Sequence, residues 1–266
     1  RRQRQMCIRD SNQTIDILLD VYAYNHAFRI AKALPNIPKT AIYLLEMLKE
    51  RRELNLAFLS EHAAENRAIE DQYHCSLWLN QSLEDEQIAN YILDLEVKVK
   101  NGAIIDFVRS VSPILYRLFL RLIASEIPQF RTYVIDSKND QYDIWDFQAM
   151  QEANHDVFKA YLSHKQSRNV TTKSLADMLT LTSLPQEIKD LVLSLRIFEK
   201  SVRNPLAHLI KPFDEEELYR TTHFSSQTFL ENIIVLATFS GVDYRREPFY
   251  FDQMNTIIKA ELGDSD

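Results

Sequence analysis

Glycine is scarce: the 266-residue chain holds three. That excludes a glycine-rich phosphate loop and a doubly wound nucleotide fold in anything like their usual form. Cysteine is scarcer still, and Cys7 and Cys75 supply neither a disulfide framework nor a cysteine-rich zinc site. Long apolar runs are missing as well. No stretch of about 18 apolar residues lacks charge, so no membrane span is expected. With no secretory signal visible, the cytoplasm is the expected location. Basic charge is in deficit, 31 Lys and Arg against 38 Asp and Glu, for a net charge of -7 and a pI near 5.6. Such a chain is not expected to wrap nucleic acid over its whole surface, although one cleft can differ in sign from the total.

What remains is rich in helix formers. Hydrophobic residues make up 45% of the chain, an ordinary level for a globular protein, and Leu-, Glu-, Lys- and Ala-rich runs with so little glycine predict an all-α fold. The first eleven residues stand apart. They carry four arginines and no period, and they read as a non-native or disordered tail resembling translated adapter DNA, so that the true beginning of the protein is expected to lie elsewhere. Setting aside those four arginines and Asp10 leaves 27 basic residues facing 37 acidic ones.

From Asn12 onward the apolar spacing is helical. Ile15, Leu18, Leu19, Tyr22, Ile30 and Leu34 keep mostly to one stripe that Pro35 ends. Pro38 opens a second run, a third covers 65–79, and a fourth covers 84–100 before Asn101-Gly102. These form a helical linking module over 12–112. Ser112-Pro113 reads as a helix start, with Ser as cap and Pro at the first helical position, and a second domain is placed over 113–266. Within it, 130–145 is weakly periodic, and Tyr133-Val134-Ile135 reads as irregular or a short strand. Helices are predicted near 147–162, 175–179, 183–202, 214–222, 226–239 and 249–262, with Gly263 placed to cap the last.

The informative run is Arg203-Asn204-Pro205-Leu206-Ala207-His208. Asn204-Pro205 is expected to break the long helix and restart another, with Asn204 as cap and Pro205 first. His208 would then lie in the first turn of a new helix, whose free N–H groups and dipole suit a phosphate. An arginine grips phosphate oxygens bidentately, and a histidine moves protons near neutral pH. These are parts for phosphodiester cleavage without a metal. The residues alone leave a plainer reading open, in which Arg203 pairs with Glu199 one turn earlier and His208 packs near Phe213.

Arg203-Asn204-Pro205-Leu206-Ala207-His208 resembles the Arg-Asn-x-x-Ala-His form of the Arg-x4–6-His signature of HEPN domains. Its surroundings, including Phe198-Glu199-Lys200 and the acidic helix after Phe213, resemble the carboxy-terminal part of the type III-A CRISPR accessory ribonucleases. The resemblance implies that Arg203 and His208 are the catalytic pair, with Asn204 the polar residue beside the arginine. It implies a homodimer whose two copies line one site, cutting single-stranded RNA by attack of the 2′-hydroxyl, with no metal and no cofactor. It further implies an amino-terminal sensor domain, absent from this chain, that takes cyclic oligoadenylate as activator. A non-catalytic HEPN-like binding or scaffold module is the alternative, and a helical protein with no nucleic-acid role a third reading.

Other basic residues carry a weaker expectation. Arg196, Lys200 and Arg203 share a helix face, and Lys159, Lys165, Arg168 and Lys173 form an all-positive stretch. Together they could rim a groove for an RNA backbone, or form an ordinary solvated face. Aromatic residues such as Tyr161 could stack bases, although core packing is the expectation for most tyrosines and phenylalanines, and Trp78 and Trp145 read as core anchors. His26, His62, His74, His155, His164 and His223 read as structural or exposed. The run Asp214-Glu215-Glu216-Glu217 suits the positive end of a helix dipole.

Overall fold

With so little glycine, the backbone breaks between helices fall to residues that rarely adopt positive φ. Tyr22, Leu54, His74, Asn154 and His223 all lie at φ between 50° and 62°, a conformation costing a non-glycine residue roughly 1–2 kcal/mol. In the computed structural model, the described residues are 2–137, 142–164, 167–208 and 210–263, with the backbone alone for residues 2–10, Asn204, Pro205, Ala207 and His208. The chain folds as two units, one made of residues up to Val97 together with those from Val242 onward, the other of Lys98–Gly241.

The first unit contains α1 (Arg2–Asp20), α2 (Tyr24–Ala33), α3 (Lys39–Arg52), α4 (Ala57–Glu61), α5 (Ala63–Tyr73), nearly all of α6 (Leu83–Lys100) and α15 (Tyr250–Gly263). Its core gathers Ile15, Leu19, Leu44, Leu48, Leu93 and Ile258, with Tyr22, Tyr24, Phe249 and Phe251 in mutual edge-on or tilted contact. A charged cluster is sealed inside. The fully buried Arg51 donates to Glu86, Asn90, the Leu77 carbonyl and the Tyr250 hydroxyl. Asn80 exchanges bonds with the backbone of Asp243, and Glu96 accepts from Tyr244 and Arg246. These bonds and α15 hold the residues after Gly241 in the first unit.

The second unit contains α7 (Ile104–Arg109), α8 (Val111–Glu126), a 3-10 turn (Phe130–Tyr133), the antiparallel pair β1 (Val134–Ile135) and β2 (Ile144–Trp145), α9 (Phe147–Glu152), α10 (Asp156–Leu162), α11 (Thr172–Leu179), α12 (Gln186–His208), α13 (Glu215–Thr222) and α14 (Ser226–Phe239). Helix α12 is its axis. It packs on α7, α8, α11, α13 and α14 through a stripe of Ile188, Val192, Leu195, Phe198 and Val202. The ring of Phe198 stacks on Phe229 of α14, with centroids 3.4 Å apart. Trp145 and Tyr161 are fully buried and meet edge to face, so Trp145 is a core anchor as expected and Tyr161 has no exposed face on which to stack a base.

Four expectations meet a different backbone. The run up to Ser11, expected as a non-native or disordered tail, is helical from Arg2 and continuous with the rest of α1. The division expected before Pro113 lies elsewhere: Ser112 and Pro113 sit in the first turn of α8, where Pro113 still needs no N–H. The segment 147–162 is two helices, parted by the left-handed Asn154. Most consequential, α12 does not break at Asn204-Pro205 but runs on to His208. A proline late in a helix forgoes one amide bond, here the one to the Ser201 carbonyl, without ending it.

Candidate active site

Because α12 continues, Arg203 and His208 belong to one helix and not to two. Five residues apart, their Cα atoms are separated by about 7.5 Å along the axis and roughly 140° around it. The motif lies at the carboxy-terminal end of α12, where the dipole is negative and carbonyls rather than amides are free. The anion-binding helix start that the sequence suggested is therefore not formed, and attraction for a phosphate rests on side-chain cations.

Arg203 is exposed, and among the described residues it has no ion-pair partner. It stands where two hollows adjoin, both also lined by Ser112 and Glu199. The larger, of about 440 Å³, adds Tyr116, Tyr142, Asp143 and Thr172; the smaller, of about 290 Å³, adds Val108, Arg109 and Leu206. Glu199 is 3% exposed. Its Oε2 accepts from Thr172 Oγ1 at 2.8 Å and from Arg196 Nη1 at 3.3 Å. The alternative pairing of Glu199 with Arg203 is not made, because Arg196, three residues earlier, takes that carboxylate. Burial pushes the Tyr116 hydroxyl above its usual pKa, with the nearby Asp143 carboxylate adding to the rise.

The predicted basic rim is only partly present as a set of free charges. Lys200 is exposed beside Arg203. Arg196 is mostly buried and committed to Glu199, with its Nε unpartnered among the described residues, so it is not a free contact for an RNA backbone. Lys173 pairs with Asp177 at 2.9 Å, Lys159 approaches Asp156 at 3.9 Å, and Arg168 lies over the Phe147 ring. Lys165 and the side chains of Asn204 and His208 lie outside the described residues. Sequence reasoning missed Arg109, an exposed guanidinium at the end of α7 that shares the smaller hollow with Arg203. Only the tertiary approach of α7 to α12 brings the two together.

The remaining acids and histidines act locally. Asp214 caps α13 by accepting from the Glu217 amide, and Glu215 accepts from the amide and hydroxyl of Ser226. His155 caps α10, and the ring of His62 bonds the Phe58 carbonyl. Among the described residues no group of three His, Cys, Asp or Glu side chains could hold a metal ion, and no helix is long and apolar enough to cross a membrane.

A small all-α unit organised on one long helix that ends in Arg-x4-His is the arrangement of a HEPN domain. The family model described as the Cas_Csm6 HEPN domain matches residues 77–259, more than half of the chain and inclusive of Arg203 to His208; the chain belongs to this family of type III CRISPR accessory proteins. Its fold is similar to that of Enterococcus italicus Csm6 bound to cyclic hexa-2′-fluoro-hexa-dAMP, with a TM-score of 0.69 and 16% identity, covering 95% of this chain and 57% of that one. The chain thus spans little more than half the length of that relative. No curated protein matches it.

Proposed function

We propose that this chain is the helical and nuclease portion of a cytoplasmic endoribonuclease that cuts single-stranded RNA, without a metal, in type III CRISPR antiviral defence. The observation that carries the reading is an exposed arginine without an ion-pair partner among the described residues, lining two hollows five residues before a histidine, inside the stretch matched by the family. The RNA 2′-hydroxyl loses its proton and its oxygen attacks the adjacent phosphorus. The bond from phosphorus to the 5′-oxygen breaks, and that oxygen takes up a proton. The products are a 2′,3′-cyclic phosphate and a 5′-hydroxyl. Arg203 stabilises charge on the phosphoryl oxygens, His208 moves a proton or orients the reacting groups, and Asn204 adds a polar contact. Since α12 alone sets Arg203 and His208 on different sides of its axis, a two-fold homodimer that pools both pairs is the natural complete site. Cyclic oligoadenylate, the kind of ligand bound to the solved Csm6, is the proposed activator, acting on a sensor domain outside this chain.

The test uses the full-length, activated protein. Arg203→Ala or His208→Ala is expected to slow cleavage by roughly 10²- to 10³-fold, the cost of removing one donor from a charged transition state. Exposed Arg203 should leave stability within about 0.5 kcal/mol, checked by circular dichroism. Arg203→Lys should also fall short, because a point charge lacks the planar two-donor grip. Cleavage should survive EDTA and stop on a substrate with 2′-deoxyribose at the cut. Mutants as fast as the unaltered protein, or EDTA-sensitive cutting of DNA and RNA alike, would overturn the reading.

A further inference from the structure

The larger hollow beside Arg203 is poorly suited to phosphate. Its lining includes two acidic residues, Asp143 and Glu199, and two tyrosines, Tyr116 and Tyr142. Tyr142 is 40% exposed, a large aromatic that core packing does not account for. The volume of about 440 Å³ falls in the lower part of the roughly 300–1,000 Å³ range of small-ligand pockets, enough for one nucleoside.

We propose that this hollow is a nucleobase pocket that takes the base of a nucleotide at the scissile linkage and prefers bases whose edges donate hydrogen bonds, guanine above all, over uracil. The proposal rests on the ribonuclease reading for the position of the phosphate at Arg203, and it adds what that reading lacks, a basis for choosing among bases. Unpaired bases are held by stacking on aromatic rings and by hydrogen bonds to their edges, and the part-exposed Tyr142 offers such a ring in the lining. Ionised carboxylates only accept. Glu199 is fixed by two bonds that both end on Oε2, and among the described residues none ends on Oε1. Among the described residues, Asp143 Oδ1 receives the Ser137 amide alone, at 3.3 Å. Guanine presents N1–H and N2–H in parallel, a match for one carboxylate. Adenine and cytosine offer an exocyclic amine. Uracil offers a single N–H between two carbonyls, and those carbonyls would confront the acids. The neighbouring hollow shares Glu199 and Arg203 but adds Arg109 and no second acid, and is the better suited of the two to the sugar-phosphate chain.

Short oligonucleotides with a single ribose confine cutting to one linkage, and the base on either side of it is then varied. The activated full-length protein is assayed for cleavage, and binding of the matching all-deoxy series is read by fluorescence anisotropy. At one of the two positions guanine should be cut and bound about tenfold better than uracil, or thymine in the deoxy series, the discrimination expected of one well-placed polar pair. Tyr142→Ala should weaken binding about tenfold through the lost stack, at a site exposed enough to spare the fold. Asp143→Asn should shrink the guanine advantage to below about threefold. Equal binding of all four bases by the unaltered protein overturns the pocket. A guanine preference in binding with no cleavage of any substrate upholds the pocket and counts against the ribonuclease reading alone.

Discussion

Arg51 offers a stringent test of the first unit's core. Its guanidinium, with no exposed surface, reaches Glu86 Oε1 at 2.6 Å, the Leu77 carbonyl at 2.7 Å, Asn90 at 3.1 Å and the Tyr250 hydroxyl at 3.2 Å, and lies 4.6 Å from the centre of the Tyr250 ring. Arg51→Met keeps much of the apolar stem but strands Glu86, also fully buried. That carboxylate retains the amides of Leu79 and Asn80 and the Asn80 side chain on Oε2, and loses the one counter-charge it has among the described residues. Breaking a buried pair from one side costs about 3–5 kcal/mol, a large part of a typical total of about 5–15 kcal/mol. Adding Glu86→Gln removes the stranded charge while its amide oxygen still accepts from Leu79 and Asn80, so the double variant should recover about half of the loss. Native-state hydrogen exchange reads this directly: amides of α3, α6 and α15 should exchange roughly 10²- to 10³-fold faster in Arg51→Met. A change below about 1 kcal/mol, or a double variant no more stable than the single, would refute the argument.

Stability should also fall at alkaline pH. Burial pushes Tyr250 and Tyr161 up to about 12, helped by Glu86 at the first and Asp177 at the second. The unfolded chain, with tyrosines near 10, sheds these protons first, so the contribution is intact below about pH 10 and lost between about 10 and 12; a Tm that stays flat across that window contradicts the burial. Arg109→Ala should weaken binding of single-stranded RNA and lower the salt slope by about one phosphate contact, with an unchanged thermal transition because the side chain is exposed; unaltered binding removes Arg109 from the substrate path.

Much of this architecture is legible in the sequence. The limits of α14 coincide with the predicted 226–239, and α13 and α15 begin one residue after their predicted starts. What misled was punctuation. Rules that look for glycine overlook Tyr22, Leu54 and Asn154 at positive φ, so α1 with α2, α3 with α4, and α9 with α10 read as single runs. The opposite error occurred at Asn204-Pro205, a strong local break signal that lost to the helix already running from Gln186. At the site, the motif is visible but its environment is not. That Arg196 rather than Arg203 claims Glu199, and that Arg109 joins Arg203, are set by tertiary packing. The return of residues from Val242 to the first unit is equally non-local, resting on pairs such as Asn80 with Asp243 and Tyr24 with Asn255, more than 160 and 230 positions apart.

That return fixes an order of events during synthesis. Translation delivers α1 to α6 before the second unit, yet their core lacks Phe251, Met254 and Ile258 until α15 emerges. Lys98–Gly241, by contrast, is one unbroken stretch, and every helix it needs leaves the ribosome before α15 does. Of the two units, the one with the candidate active site is therefore able to finish folding first, and the one that holds α1 to α6, although begun earlier, is completed after it. Domains usually fold in the order they are made; here the sequence between Val97 and Val242 inverts it, leaving the apolar faces of α2 and α3 waiting on the chain for more than a hundred residues of elongation.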